Sequence, residues 1–215
     1  MNNKGTFYKK ASFLIVMNIL FILFLGACSS SPKVERVEAD TQVDLTGRWN
    51  DSDVRMVCES LINDVLSSAR VAQFIQEYSA QNGGRLPAVI VGRFRNDSSE
   101  RINTFIISRN MEVAIVNSGK LDFVAGGDTR QEIRRERQDQ LAHASEDTAA
   151  ALGNETGATL LLTGSVNSIV ERSGNTTVRA YFVSAELTHI ETNTRIWMGS
   201  NDAIKKIIQQ RNVRL

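Results

Sequence analysis

Apolar residues occur along this chain first as one dense block, then as stripes with a helical period, and last as alternating runs. The block is Ala11 to Ala27, which follows a short basic start with Lys4, Lys9 and Lys10. Past residue 50 the period becomes helical. Val54, Val57, Cys58, Leu61, Ile62, Val65, Leu66 and Ala69 keep the i, i+3, i+4, i+7 spacing of one helix face, behind the N-cap candidates Asn50, Asp51 and Ser52. Asp53, Glu59 and Asp64 are expected on the opposite, solvated side. Val71, Phe74, Ile75 and Tyr78 continue this helix or form a second short one, and Asn82-Gly83-Gly84 ends it. The consecutive apolar run Pro87 to Phe94 predicts a strand buried on both faces. A helix is expected over Glu100–Asn117, with Ile102, Phe105, Ile106, Val113 and Val116 inward, and a short strand over Leu121–Ala125.

Thr129 to Ala144 carries charge at nearly every turn, and only Ile133 and Leu141 read as inward, so a solvated or contact helix is predicted there. An Ala-rich helix is expected over Ser145–Asn154. The rest is strand-like: Thr159–Val170, a hairpin signal at Ser173-Gly174-Asn175-Thr176, alternation over Val178–Ile190, a turn at Glu191-Thr192-Asn193-Thr194, and Arg195–Ser200 with Trp197. Ile204–Leu215 reads as a basic, weakly patterned tail. Strands joined through helices run parallel by right-handed crossovers, and the closing hairpins form an antiparallel meander. The fold class is therefore α/β: a single domain with a mixed β-sheet flanked by helices.

The apolar block changes meaning at its end. A basic start, an apolar stretch and small residues before a cut make a secretory signal, and Leu25-Gly26-Ala27-Cys28 resembles a bacterial lipobox. Residues 1–27 are then a signal peptide, Cys28 is the lipidated first residue of the mature protein, and residues 28–47 are a tether ahead of a domain at 48–215. The competing reading is an uncleaved transmembrane helix. It is short of the roughly 20 apolar residues a span needs, and Ser29-Ser30-Ser31-Pro32 supplies no basic flank after it. Fully extended, Ser29 to Gly47 reaches about 60 Å, and relaxed it spans roughly 25 Å.

Charge narrows the partners. Removing residues 1–27 takes three of the 25 Lys+Arg and none of the 24 Asp+Glu, which leaves 22 against 24, a net charge of −2. That balance argues against nucleic acid as a partner. Of the two cysteines, Cys28 is assigned to lipid, so Cys58 lacks an intramolecular disulfide partner and reads as a small buried hydrophobe on its helix face. His143 and His189 stand in no zinc spacing. No phosphate loop, dinucleotide fingerprint or Gly-x-Ser-x-Gly elbow occurs, and Gly126-Gly127-Asp128 reads as a turn. No enzyme, cofactor or metal centre is expected.

Two features point to recognition. The charged helix displays Arg134, Arg135, Arg137, Gln138 and Asp139 with few apolar anchors, and Trp49 lies in the loop just before the first helix. Arg and Trp dominate protein contacts. Solvation of the helix, and a Trp49 that folds back to fix where the helix starts, are the competing readings.

Several stretches, in order, resemble the penicillin-binding protein activator LpoB family: Asp44-Leu45-Thr46-Gly47-Arg48-Trp49-Asn50-Asp51, Pro87 to Gly92, Asn117-Ser118-Gly119-Lys120, Phe123-Val124-Ala125, Arg134 to Gln140, Gly157-Ala158 and Thr192 to Gly199. The resemblance implies a domain similar to the N-terminal domain of TolB. It implies a non-enzymatic outer-membrane lipoprotein on the periplasmic face, whose partner is a class A penicillin-binding protein. It also implies that the chain stimulates peptidoglycan synthesis by contact. The tether here is short against the long proline-rich tethers of such activators. The alternative is a structural or assembly lipoprotein that binds another envelope complex or the glycan mesh.

Overall fold

The first helix starts where its cap is strongest. Asn50 accepts a hydrogen bond from the Asp53 N–H (3.1 Å), and Asp53 accepts one from the Asn50 N–H (2.9 Å), a reciprocal capping box. In the computed structural model, which describes residues 35–38, 41–143 and 155–210, this helix is α1 (Asp51–Ser67). Ser68 leaves helical geometry and caps α2 (Ala69–Gln81), so of the two readings the periodicity allows, a second helix is the one that forms. The elements that follow are β1 (Ala88–Val91), β2 (Arg95–Asn96), α3 (Phe105–Ser118), β3 (Asp122–Phe123), α4 (Gly127–His143), β4 (Leu160–Ser173), β5 (Thr176–His189) and β6 (Arg195–Gln209). All lie in the compact unit Asp40–Leu215. Glu35 to Glu38 are exposed and belong to no helix or strand. The predicted signal segment, Cys28, the predicted helix Ser145–Asn154 and residues 211–215 lie outside the described residues.

The sheet has the order β3-β1-β4-β5-β6, with β2 also paired to β4. β1 is parallel to β3 and β4, and β4, β5 and β6 form an antiparallel meander. The α/β class, the mixed sheet and the single domain are as the sequence predicts. Inward-facing Leu160, Leu162 and Val166 of β4 and Tyr181, Val183, Ala185 and Leu187 of β5 meet Val57, Leu61 and Val65 of α1 and Ile107, Met111 and Ile115 of α3. Cys58 is buried among them, 3.9 Å from the Asn110 amide. Burial pushes its thiol up to about 11, the inert hydrophobe the sequence predicts.

Four expectations need correction. The run Pro87–Phe94 is not one strand: β1 ends at Val91, and the chain bends so that the Phe94 ring lies over Gly164, where any Cβ would collide with it. The next helix begins at Phe105 rather than Glu100, and it turns a different face inward. Ile107, Met111 and Ile115 are buried, whereas Phe105, Ile106, Val113 and Val116 are exposed. Polar groups set that rotation. The Ser108 hydroxyl donates to the Gly92 carbonyl (3.1 Å) and accepts from the Phe94 N–H (3.3 Å), and the Thr104 hydroxyl donates to the Phe94 carbonyl. These bonds satisfy the backbone freed by the bend, so Thr104 and Ser108 must face the sheet.

The third correction is Asp53, which is 1% exposed rather than solvated. The fourth is the supposed tail, whose residues Ile204–Gln209 are the end of one 15-residue strand. Trp197 and Gly199 pair with the inward Leu187 and Ala185, whereas Ile204 and Lys206 pair with the inward Tyr181 and Arg179. The register shift between Tyr181 and Val183 moves the inward positions from odd to even numbers. A bulge of this kind erases the two-residue period from the sequence.

Candidate functional site

The β4–β5 hairpin is about 45 Å long at strand geometry, and toward its far end the sheet meets the first turn of α1. There the inward row reads Val170, Arg179, Lys206 across the three strands of the meander. Two cations side by side on neighbouring strands repel one another, and acidic residues from three other places neutralise them. The Lys206 ammonium spends all three donors: on Asp44 (2.6 Å), on Asp53 (2.7 Å) and on the Arg48 carbonyl (3.0 Å). Burial disfavours its charge, but the hydrogen bonds it donates to both carboxylates, with their negative charge, outweigh burial and raise its pKa above the ordinary value. The hydrogen bond from Lys206 lowers Asp44 against a smaller effect of burial. Asn50 adds a bond to Asp44 (2.7 Å), and Gly47, with φ +63°, lies against Ile208. Residues 44–50 thus form a strap across β6. Asp44 and Gly47, which the sequence places in the tether, make contacts with the domain.

The other cation, Arg179, pairs with Glu100 through Nη1. The same carboxylate accepts the Tyr181 hydroxyl (2.9 Å) and the Trp49 N–H (3.3 Å). Burial and the bond to Glu100 push the Tyr181 phenol well above its usual range. Trp49 is half-buried, with its ring edge-on to Tyr181 at 5.3 Å. A cleft of ≈ 460 Å³ opens beside this group, lined by Arg48, Ser99, Glu100, Val170, Arg172 and Arg179.

The charged helix α4 sits elsewhere. Gly126, just before it, packs against Ile90, and Ile90 pairs with Leu161, seven residues along β4 from the Ser168 that pairs with Tyr181. The start of α4 and Trp49 are therefore about 20 Å apart along the sheet. Arg134 holds Glu155 with two parallel bonds (2.7 and 2.9 Å), and these raise the arginine pKa and lower that of the glutamate. Arg135 and Gln138 have no partner among the described residues. Arg137 is half-buried, and Asp139 lies 3.7 Å from His143. Ile133, expected inward, is exposed, and the side chain of Leu141 lies outside the described residues. His189 is half-buried, its ring 5.5 Å from that of Phe74.

Sequence reasoning missed Lys206, Asp53, Glu100, Arg179 and Tyr181. The usable signal was Lys206 set among Ile204, Ile207 and Ile208, an unlikely neighbourhood for a solvated lysine. Among the described residues no group of three His, Cys, Asp or Glu side chains is placed to hold a metal, and no helix is long and apolar enough to cross a membrane.

The chain is similar to the LpoB C-terminal domain from Escherichia coli (18% identity, covering 74% of this chain and 99% of that one, TM-score 0.41). It is similar to the same domain from Salmonella enterica (18%, 74% and 99%, TM-score 0.39) and to the NMR structure of E. coli LpoB (16%, 86% and 85%, TM-score 0.38). No curated protein matches. The sequence model of the family described as "Peptidoglycan-synthase activator LpoB" matches residues 53–203, well over half of the 215 residues and nearly every element from α1 to β6. The chain belongs to the peptidoglycan-synthase activator LpoB family.

Proposed function

We propose that this protein is a lipid-anchored, non-enzymatic activator that docks onto a class A penicillin-binding protein and stimulates peptidoglycan synthesis by contact. The family match across the folded domain carries this reading. In it, residues 1–27 are a cleaved signal, Cys28 bears the lipid at the periplasmic face of the outer membrane, and Arg134, Arg135, Arg137, Gln138, Asp139 and the Trp49 loop contribute the contact. The described part of α4 supports the helix as contact surface, since its side chains project into solvent or are only half-buried.

The test is glycan polymerisation by a purified class A synthase with the full-length chain in neutral detergent. Stimulation is expected. Reversal of Arg134, Arg135 and Arg137 to Glu should lower it by about tenfold, as loss of charged contacts does, with an unchanged melting temperature. Failure of the unaltered chain to stimulate any class A synthase overturns the reading.

The short leash favours a second reading, binding to the glycan mesh or another envelope complex. With Asp44 held by Lys206, the sequence between Cys28 and that anchor point is Ser29–Val43, a contour length of about 50 Å at most. Co-sedimentation with purified sacculi in the absence of any synthase supports that alternative.

A further inference from the structure

The cleft beside Arg179, toward the turn end of the hairpin, carries more positive charge than its surroundings use. Three arginines line it against one glutamate. Glu100 is fully engaged by Arg179, the Tyr181 hydroxyl and the Trp49 N–H. It fixes Arg179 in place but has little capacity left for Arg48 and Arg172. The guanidinium groups of those two exposed residues have no partner among the described residues, and Nε of Arg179 is buried without one. Val170 adds an apolar wall.

We propose that this cleft binds a carboxylate side chain of an acidic protein segment. A guanidinium matches a carboxylate with two parallel bonds, the geometry this chain already uses between Arg134 and Glu155. A volume of ≈ 460 Å³ with an aliphatic wall accommodates a carboxylate together with its methylene stem, more than a bare small anion fills. The register explains why the charges converge. Val170 and Arg172 are two apart on β4, and Arg179 is paired with Val170, so all three project from the same face. The strap held by Lys206 brings Arg48 beside them. The inference rests on the reading of the chain as a protein-contact module and supplies the chemistry of one contact.

The test is fluorescence anisotropy of a labelled hexaglutamate peptide with the full-length chain in neutral detergent at low salt. Binding is expected, and the pair Arg48→Glu and Arg172→Glu should weaken it about tenfold or more. The control pair Arg70→Glu and Arg85→Glu makes the same charge change away from the cleft and should alter binding by no more than about twofold. Arg172→Gln alone should give an intermediate loss, and equal melting temperatures verify folding. No binding, equal losses in both pairs, or displacement by inorganic phosphate at the peptide's own concentration overturns the proposal. A chain that binds the peptide through the cleft yet stimulates no synthase overturns the activator reading and leaves the cleft standing.

Discussion

Lys206 shows what one inward-facing charge demands of its surroundings. Its side chain is 10% exposed and Asp53 opposite it 1%, so neither ion keeps enough water to stand alone. Lys206→Met should destabilise the domain by about 3 kcal/mol in urea unfolding, because it leaves the Asp53 carboxylate buried and unpaired. Asp44→Ala should cost about 1 kcal/mol or less, since Asp44 is more than a third exposed and Lys206 keeps Asp53 and the Arg48 carbonyl. The same pair sets a pH window. The folded pKa of Asp44 is depressed, so its contribution is present above its ordinary value of 3.8 and is lost as pH falls through the lower folded value. The folded pKa of Lys206 is raised, so its contribution is present below 10.5 and is lost as pH rises through the higher folded value. Trp49 emission in a Trp197→Phe background should stay constant between those limits and shift outside them as the strap loosens.

Among the elements, α3 and β6 depart furthest from simple periodicity. α3 is apolar on two sides, and hydrogen bonds from Thr104 and Ser108 to a broken strand decide which side is core. Ile107→Ala and Met111→Ala should each cost about 2–5 kcal/mol, whereas Phe105→Ser and Val113→Ser should each stay within about 0.5 kcal/mol. Urea titration separates the two faces. Truncation after Ser200 should abolish cooperative unfolding by circular dichroism. It removes more than half of β6, with Ile204 of the core and the ammonium that pairs Asp53.

At the scale of the molecule, the excursion between β3 and β4 leaves and rejoins the sheet at nearly the same place. The Val124 N–H donates to the Val89 carbonyl, and Leu160 pairs with Val89. The two ends flank β1 and are about 10 Å apart at sheet spacing. Replacing Gly127–Glu155 by a short Gly/Ser linker should therefore cost little in closure entropy, which changes slowly with loop length, and urea unfolding of the variant is expected to stay cooperative. Under the proposed function the same variant should lose synthase stimulation. Retained stimulation would remove α4 from the contact surface.

The sequence by itself determined the order and type of the main elements apart from β2, the parallel-then-antiparallel sheet, a helix start within Asn50–Ser52, the buried Cys58 and the solvated character of α4. Each of these depends on period, turn chemistry or charge within a few neighbouring residues. Only the tertiary structure decided which face of α3 is core, that Ile204 to Gln209 is strand, and that Asp53 is buried. It also decided that Glu100, Arg179 and Tyr181 meet Trp49, residues separated by as many as 132 positions in the chain. These outcomes turn on a register shift and on long-range neutralisation of charge, and neither leaves a local period to read. The arginines of the cleft are scattered along the sequence and gain a common direction only when β4 and β5 pair and the strap closes over β6.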